Sequence, residues 1–507
     1  MAVDSSLPTE ARSPAVPSKK QMATGTLQVF LAEGLLLPTG ILTAAYLTRQ
    51  LGPEGYGVLM LATTIISWIS WSITSAFTRT TIKFVSEAED WRPVASTVLR
   101  LHLILGTVAV AGLWLASYPL TIALGEPGMV NALRLFAFEI PIFCLTYAHR
   151  SVMVGLGQYE QRAISTGIRW CIRMLLIIAL VASGLSLTGA ILGSIGAALA
   201  ELAICRYYLQ VPLFTQSPFA MGRLWGYALP LFFLAISLRL YEKLDLFMLK
   251  LLGGSAASVG YYSTAQNLAL APSLFTLAFV PLLLSTLTRT LYAGDLTSAK
   301  QLSRNALRFV ILFLPFTALL AGSAPELIAL IFSVTFLPAA PLFALLIFAA
   351  VAMAMIAVTT AILTAAGKPN WTIALAGPMV PLAMLGDLLV IPKLGALGAA
   401  IVTTGVAAVA AVTCIAAIYH HWQILPPASS SGRSLFLSMV VFTLASLWVT
   451  PDWLVLVKLA IVSLLTVFLL WLLGEFSDHE KEAIRGYCQS AMHNFSNFSK
   501  KYLGLRL

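Results

Sequence analysis

Charge is what this sequence has least of. Only 10% of its 507 residues are Asp, Glu, Lys or Arg, where a soluble globular chain carries about 25%. Cysteine is scarce too. Cys144, Cys171, Cys205, Cys414 and Cys488 form an odd, scattered set, which argues for buried thiols and against a disulfide framework or a metal site. His and Cys show no metal-ligand spacing, no Walker glycine loop is present, and no nucleophile elbow stands between a strand and a helix. His102, His420 and His421 lie in or beside apolar segments, and a lone His in a helix is more often packed and hydrogen-bonded than a proton relay. The sequence implies no enzyme, no cofactor and no metal.

What is present is hydrocarbon. Hydrophobic residues make up 59% of the chain, and the mean hydropathy is +0.88. Both indicate an all-α integral membrane protein. Apolar segments of about 20 residues, long enough to cross a bilayer, number about fourteen. They fall near 26–48, 58–82, 95–118, 130–154, 161–184, 186–209, 224–251, 258–287, 303–322, 341–366, 371–391, 395–419, 434–450 and 453–474. The stretch 322–341 is the weakest boundary and reads as a short re-entrant or interfacial piece.

Residues 1–24 are polar, rich in Pro, Ser and Ala, and read as a disordered cytoplasmic tail. The first helix after them is too long for a signal-peptide core. The C-tail, 477–507, spaces Ile484, Tyr487, Cys488, Met492, Phe495, Phe498 and Tyr502 at helical steps beside Arg485, Lys500 and Lys501. It reads as an amphipathic helix on the inner membrane surface.

A formal net charge of +10 invites a nucleic-acid partner, but its distribution follows the membrane instead. One set of loop ends collects Arg79, Lys83, Arg92, Arg162, Arg206, Arg223, Arg289, Lys300, Arg304, Lys368 and Arg433, while the other keeps Arg49, Arg134, Lys250, Lys393 and Lys458. This positive-inside asymmetry supports an even helix count with both ends cytoplasmic.

The chain then repeats itself. Leu229 to Ala265 runs as an apolar helix, places Arg239, Glu242, Lys243 and Asp245 where hydrocarbon should continue, turns at Gly253-Gly254 and resumes at Gly260-Tyr261-Tyr262. Gly52-Pro53-Glu54-Gly55-Tyr56-Gly57 is a weaker copy of that turn. Phe77-Thr78-Arg79-Thr80 matches Leu287-Thr288-Arg289-Thr290, and Gly155-Leu156-Gly157 matches Ala365-Ala366-Gly367. Gly193-Ser194-Ile195-Gly196 reads like Gly395-Ala396-Leu397-Gly398. Single matches of this kind arise by chance in Gly/Ala-rich helices, but four in order imply duplication. Six helices per copy make a parallel repeat about an axis along the membrane normal. The expected divisions are an N-lobe at 25–210, a cytoplasmic linker at 211–223, a C-lobe at 224–420 and two extra helices within 433–476.

Ionisable residues at membrane depth are costly and mark function by default. Arg169 with Arg173, and Arg239 with Lys243, share a helix face at i, i+4 spacing. Two cationic pairs at mid-depth, one per copy, suit an anionic group such as pyrophosphate, which a guanidinium grips with two parallel hydrogen bonds. The bland alternative is that Glu33, Glu139, Glu242 and Asp245 neutralise them, or that they reach a surface. Those carboxylates are equally candidates for binding a coupling cation or proton.

With the LGPEGYG turn, the LDLFMLKLLGG…VGYYSTA stretch holding Asp245, the Gly157 and Gly367 loops and the GALGAA segment, the chain resembles the Wzx-like polysaccharide and oligosaccharide flippases of the MOP superfamily, alongside MurJ and the MATE exporters. The resemblance spans about Thr26 to Leu473. It implies two six-helix lobes around a cavity and alternating access of an undecaprenyl-pyrophosphate-linked oligosaccharide across a bacterial inner membrane, for O-antigen or exopolysaccharide biosynthesis. Membrane lipids and other polysaccharide-assembly proteins are the implied partners. Glu33 stands where MurJ-like members have arginines in the first helix, which speaks against lipid II as substrate. The alternatives are a MATE-like drug/cation antiporter and a lipid II flippase of MurJ type. An integral-membrane glycosyltransferase or polymerase ranks third, for want of a large external loop.

Overall fold

An apolar chain in a bilayer must pair every backbone N–H and C=O internally, which only helices and closed barrels achieve. In a computed structural model this chain does so with helices. The structure describes residues 28–212, 222 and 243–475, and no strand occurs among them. A helical segment at 28–34 leads into α1 (Leu36–Glu87). Then come α2 (Arg92–Ala123), α3 (Val130–Phe136), α4 (Glu139–Gly155), α5 (Tyr159–Leu180) and α6 (Ser186–Tyr208). The second half holds α7 (243–251), α8 (Ala256–Ala269), α9 (Ser273–Tyr292), α10 (Leu296–Ile311), α11 (Leu314–Gly322), α12 (Ala324–Ile331), α13 (Ala340–Ala365), α14 (Pro369–Ala376) and α15 (Met379–Trp422). Two helices close the described chain, α16 (Ala428–Leu447) and α17 (Leu454–Leu472).

Among the described residues, nine stretches are long and apolar enough to cross a membrane. Three of them, Gln28–Glu87, Tyr159–Tyr208 and Met379–Trp422, run to 60, 50 and 44 residues. Even the shortest would be about 66 Å straight, over twice the hydrocarbon thickness of about 30 Å. Each therefore bends, at Gly52, around Gly184–Ser186 and at Gly395. Counting bent arms separately, the nine stretches make twelve. Of the expected crossing at 224–251 only α7 is described, and the one at 258–287 is broken at 270–272, where Pro272 removes a helical N–H. The piece at 322–341 is α12 followed by a 3-10 turn at Val334–Ala339.

The bends correct the register of one internal match. Ser186 has φ 44° and ψ −127°, and Gly395 has φ 56° and ψ −134°. They are the same hinge, so Ser186 and not Gly193 corresponds to Gly395. Text similarity misled because the first copy puts a side chain where the second has glycine. Beyond the hinge, Gly189 packs on the Leu180 carbonyl and Gly398 on the Val390 carbonyl, so each pair of arms folds back antiparallel. The Gly157 and Gly367 turns keep the expected match, with φ of 72° and 74°.

The two copies meet through paired glycines. A Cβ on Gly57 would come 1.8 Å from the Ala256 carbonyl oxygen, and one on Gly260 would come 2.4 Å from the Pro53 carbonyl oxygen. Gly57 corresponds to Gly260 and Pro53 to Ala256, so the contact is reciprocal, as at a two-fold axis. The same end carries further bonds between the halves. Arg49 donates to the Leu330 carbonyl at 2.6 Å and Lys250 to Glu126 at 2.8 Å, while Asn267 donates to the Tyr56 hydroxyl at 3.2 Å. Away from this seam each half has its own core, one drawn from Phe77 to Val211 and one from Leu283 to Ile424.

Helices α16 and α17 are clamped to the second half at both ends. Buried Lys458 of α17 bonds Glu326 of α12 at 2.7 Å and the carbonyls of Ala445 and Trp448 at 2.8 Å. At the other end Glu475 accepts from Arg308 Nε at 2.8 Å and from Arg433 at 3.2 Å. Burial alone would raise the Glu475 carboxyl, but hydrogen bonds from Ser430, Arg308 and Arg433 outweigh it and hold it below its ordinary value.

Candidate functional site

Helix α5 carries Arg162, Arg169 and Arg173 along its length. The helices packed around it supply the opposing charge. Glu139 and Arg150 come from α4, Ser194 and Glu201 from α6, and Glu33 from the segment before α1. Arg169, almost fully buried, lies 3.2 Å from Glu201 and 3.5 Å from Glu139. Its guanidinium also stacks over Phe143 and Trp170. Arg150 reaches Glu33 at 2.5 Å and Glu201 at 3.6 Å, and Arg162 reaches Glu33 at 3.5 Å. The network thus holds four guanidiniums against three carboxylates, and the excess cation is Arg173.

Arg173 has no carboxylate within ion-pair distance among the described residues. Its Nε donates to Ser194 at 3.4 Å and its guanidinium lies 5.9 Å from the Trp170 ring. It faces a cavity of about 220 Å³ between the halves, beside Thr39, Thr43, Tyr56, Trp170 and Asn267. Tyr56 comes from the first copy and Asn267 from the second, so the cavity belongs to both.

Arg239 and Glu242 lie outside the described residues. Lys243 bonds Gln266 at 2.7 Å. Asp245 is buried in a separate cluster in the second half. It accepts hydrogen bonds from the Tyr262 hydroxyl, from Thr403 at 3.3 Å, from Gln266 at 3.4 Å and from the Leu246 amide at 2.8 Å. Asp387 of α15 sits within electrostatic reach of Asp245, 1% exposed, with neither carboxylate oxygen hydrogen-bonded. The structure therefore brings Arg169, Arg173, Glu139 and Glu33 into one network and leaves Lys243 and Asp245 in another.

Sequence reasoning passed over Arg150, Glu201 and Asp387. The i, i+4 criterion selects paired charges, and none of these has a charged residue four positions away on its helix. The simpler signal, any ionisable residue inside an apolar segment, finds all three.

No curated protein sequence matches this chain significantly. Among solved structures, the lipid II flippase MurJ in an inward closed conformation superposes with a TM-score of 0.67 at 14% identity, covering 88% of this chain and 98% of that one. A multidrug resistance MATE family transporter in its outward-facing conformation follows at 0.56 and 14%, covering 80% and 96%. A MOP superfamily transporter from Pyrococcus furiosus gives 0.57 and 15%, also covering 80% and 96%. At these identities the likeness is one of fold, and it is a multi-pass membrane fold. The sequence itself matches the family described as polysaccharide biosynthesis protein over residues 23–284, more than half of its length, and the chain belongs to that family.

Proposed function

We propose that the chain is a flippase for undecaprenyl-pyrophosphate-linked oligosaccharides, serving O-antigen or exopolysaccharide biosynthesis in a bacterial inner membrane. Residues 25–210 and 224–420 are the lobes that rock against each other, and both termini are cytoplasmic. The observation that carries this reading is Arg173, a cation without a carboxylate partner among the described residues, in a cavity between two halves. An arginine at mid-bilayer costs about 2.5–3.5 kcal/mol even on lenient scales. A substrate phosphate repays that cost through a bidentate, charge-assisted pair. The cavity, about 220 Å³, takes a head group but not a glycan; an engineered cavity of about 150 Å³ binds a molecule the size of benzene. The oligosaccharide would occupy the space that opens as the lobes part. Among the described residues the bonds between the halves lie at the Gly52 end, which the charge distribution assigns to the exterior, so this conformation is read as closed outward.

The test is the lipid-linked saccharide pool of a strain that depends on this protein. Arg173→Ala should trap the intermediate on the cytosolic side at normal protein level, and Arg173→Lys should recover part of the export because charge survives without the planar fork. Full export by Arg173→Ala defeats the assignment. Asp245 and Asp387 supply a second element: a buried carboxylate with no partner next to another suits a coupling proton or small cation. Asp387→Asn should then slow export without changing head-group affinity.

A further inference from the structure

At the inner mouth of the N-lobe, Arg150 and Arg162 both point at the same oxygen of Glu33, Oε1, at 2.5 and 3.5 Å. We propose that these arginines form a second phosphate-ester site, that Glu33 occupies it as a built-in stand-in, and that the diphosphate of a lipid-linked substrate displaces Glu33 on its way to Arg173. The inference rests on the transport reading above and adds the site where the head group is first received.

Donor supply exceeds what Glu33 accepts. Each guanidinium offers five N–H donors, yet one carboxylate oxygen takes both contacts, and the Nε atoms of Arg150 and Arg162 are buried without a partner. The other carboxylate near Arg150, Glu201, keeps its Oε1 at 3.6 Å, beyond hydrogen-bond length, while its Oε2 accepts from Arg169 at 3.2 Å. A diphosphate brings more acceptor oxygens and more charge than one carboxylate. Beside the pair a pocket of about 40 Å³ is lined by Thr78, Tyr147 and Ser151; the Thr78 and Ser151 hydroxyls donate to the Thr74 and Tyr147 carbonyls, which leaves Tyr147 to add a hydroxyl.

The burial is lopsided in the way a displaceable ligand requires. The Arg150 side chain is 8% exposed and Glu33 is 36% exposed, so the cation is fixed and the anion faces out. Glu33 also sits at a weak point of its helix. Pro38 has no N–H to give the Gly34 carbonyl, and the helix is interrupted at Leu35. The turn carrying Glu33 can swing aside without disturbing α1. From Gly52 back to Glu33 is about 28 Å of helix, close to a full hydrocarbon thickness. That puts the site at the opposite membrane face from the Gly52 turn, where a head group still in its leaflet arrives, and about 16 Å along α5 from Arg162 lies Arg173.

The full-length protein in phosphatidylcholine nanodiscs is titrated with inorganic pyrophosphate and with farnesyl pyrophosphate. Both should bind, the farnesyl ester more tightly, and Glu33→Gln should tighten both about fivefold by removing the competitor. Arg162→Gln, at a less buried position, should weaken both about tenfold. In the unsubstituted protein, farnesyl pyrophosphate should raise amide exchange across 28–36 as the Glu33 turn is released. Unchanged or weaker binding by Glu33→Gln, or slower exchange at 28–36, overturns the stand-in role. Inorganic pyrophosphate binding as tightly as the farnesyl ester overturns the lipid-linked source. If these fail while export of lipid-linked saccharide by the unsubstituted protein stands, the second site falls and the proposed function survives; loss of that export sinks the function itself.

Discussion

Replacing Gly57 by alanine tests whether the two halves must separate at the Gly52 end. The added Cβ would lie 1.8 Å from the Ala256 carbonyl oxygen, and ordinary contact begins at 3.4 Å, so the backbones must part by about 1.6 Å. The obstacle is backbone on a rigid helix, not the end of a side chain that can turn away. Overpacking of this kind costs typically about 1–3 kcal/mol, and this geometry belongs at the upper end. If the cost falls only on the closed arrangement, about 3 kcal/mol shifts the closed-to-open ratio by about 150-fold toward open. Spin labels at exposed Gly128 and Thr335, on opposite halves of that end, should report a longer mean distance in Gly57→Ala by double electron–electron resonance. Gly260→Ala, whose Cβ would stop 2.4 Å from the Pro53 carbonyl oxygen, should act in the same direction but less strongly. A stably folded Gly57→Ala protein with an unchanged label distance would refute the reasoning, since the glycine pair would then not hold the seam.

Lys250→Ala should also favour the open form, because Lys250 and Glu126 join the halves at 2.8 Å, and the exchange Lys250→Glu with Glu126→Lys should restore the closed label distance. The Glu475 carboxyl is held below its ordinary value by Ser430, Arg308 and Arg433 against the opposing effect of burial. Its contribution is therefore present above the unfolded-state pKa of about 4.3 and lost as pH falls through the lower folded value. The thermal midpoint should drop between about pH 5 and pH 3, and Glu475→Gln should flatten that drop while lowering the midpoint at neutral pH. A reporter fused after Ser477 should give cytoplasmic-type activity; periplasmic-type activity removes the fourteen-helix topology.

Much of the architecture was readable before any coordinates. The all-helical membrane class follows from composition, because a bilayer leaves an apolar chain few ways to satisfy its backbone. Segment boundaries were legible where hydropathy falls at charged turns, as between α4 and α5 at Gly157. They were legible too where arms join without leaving hydrocarbon, since the expected spans end at 184 and 391 and resume at 186 and 395, where the chain bends. The equivalence of Ser186 with Gly395 was invisible for a local reason. A serine at φ 44° is held by its surroundings, and no residue type in the sequence announces it.

The sequence by itself determined which residues are charged within apolar helices, and that alone marked Arg169, Arg173 and Asp245 for attention. It also determined the repeat, since duplicated turns leave duplicated glycines. Only the tertiary structure decided how those charges are distributed. Arg169 and Arg173 share a helix face, yet α4 and α6 bring Glu139 and Glu201 to the first, while the second meets Ser194 and an open cavity. Helical spacing fixes the direction of a side chain along its own axis. What stands opposite comes from other helices far away in the chain, and the free energy of a buried charge depends on that neighbour.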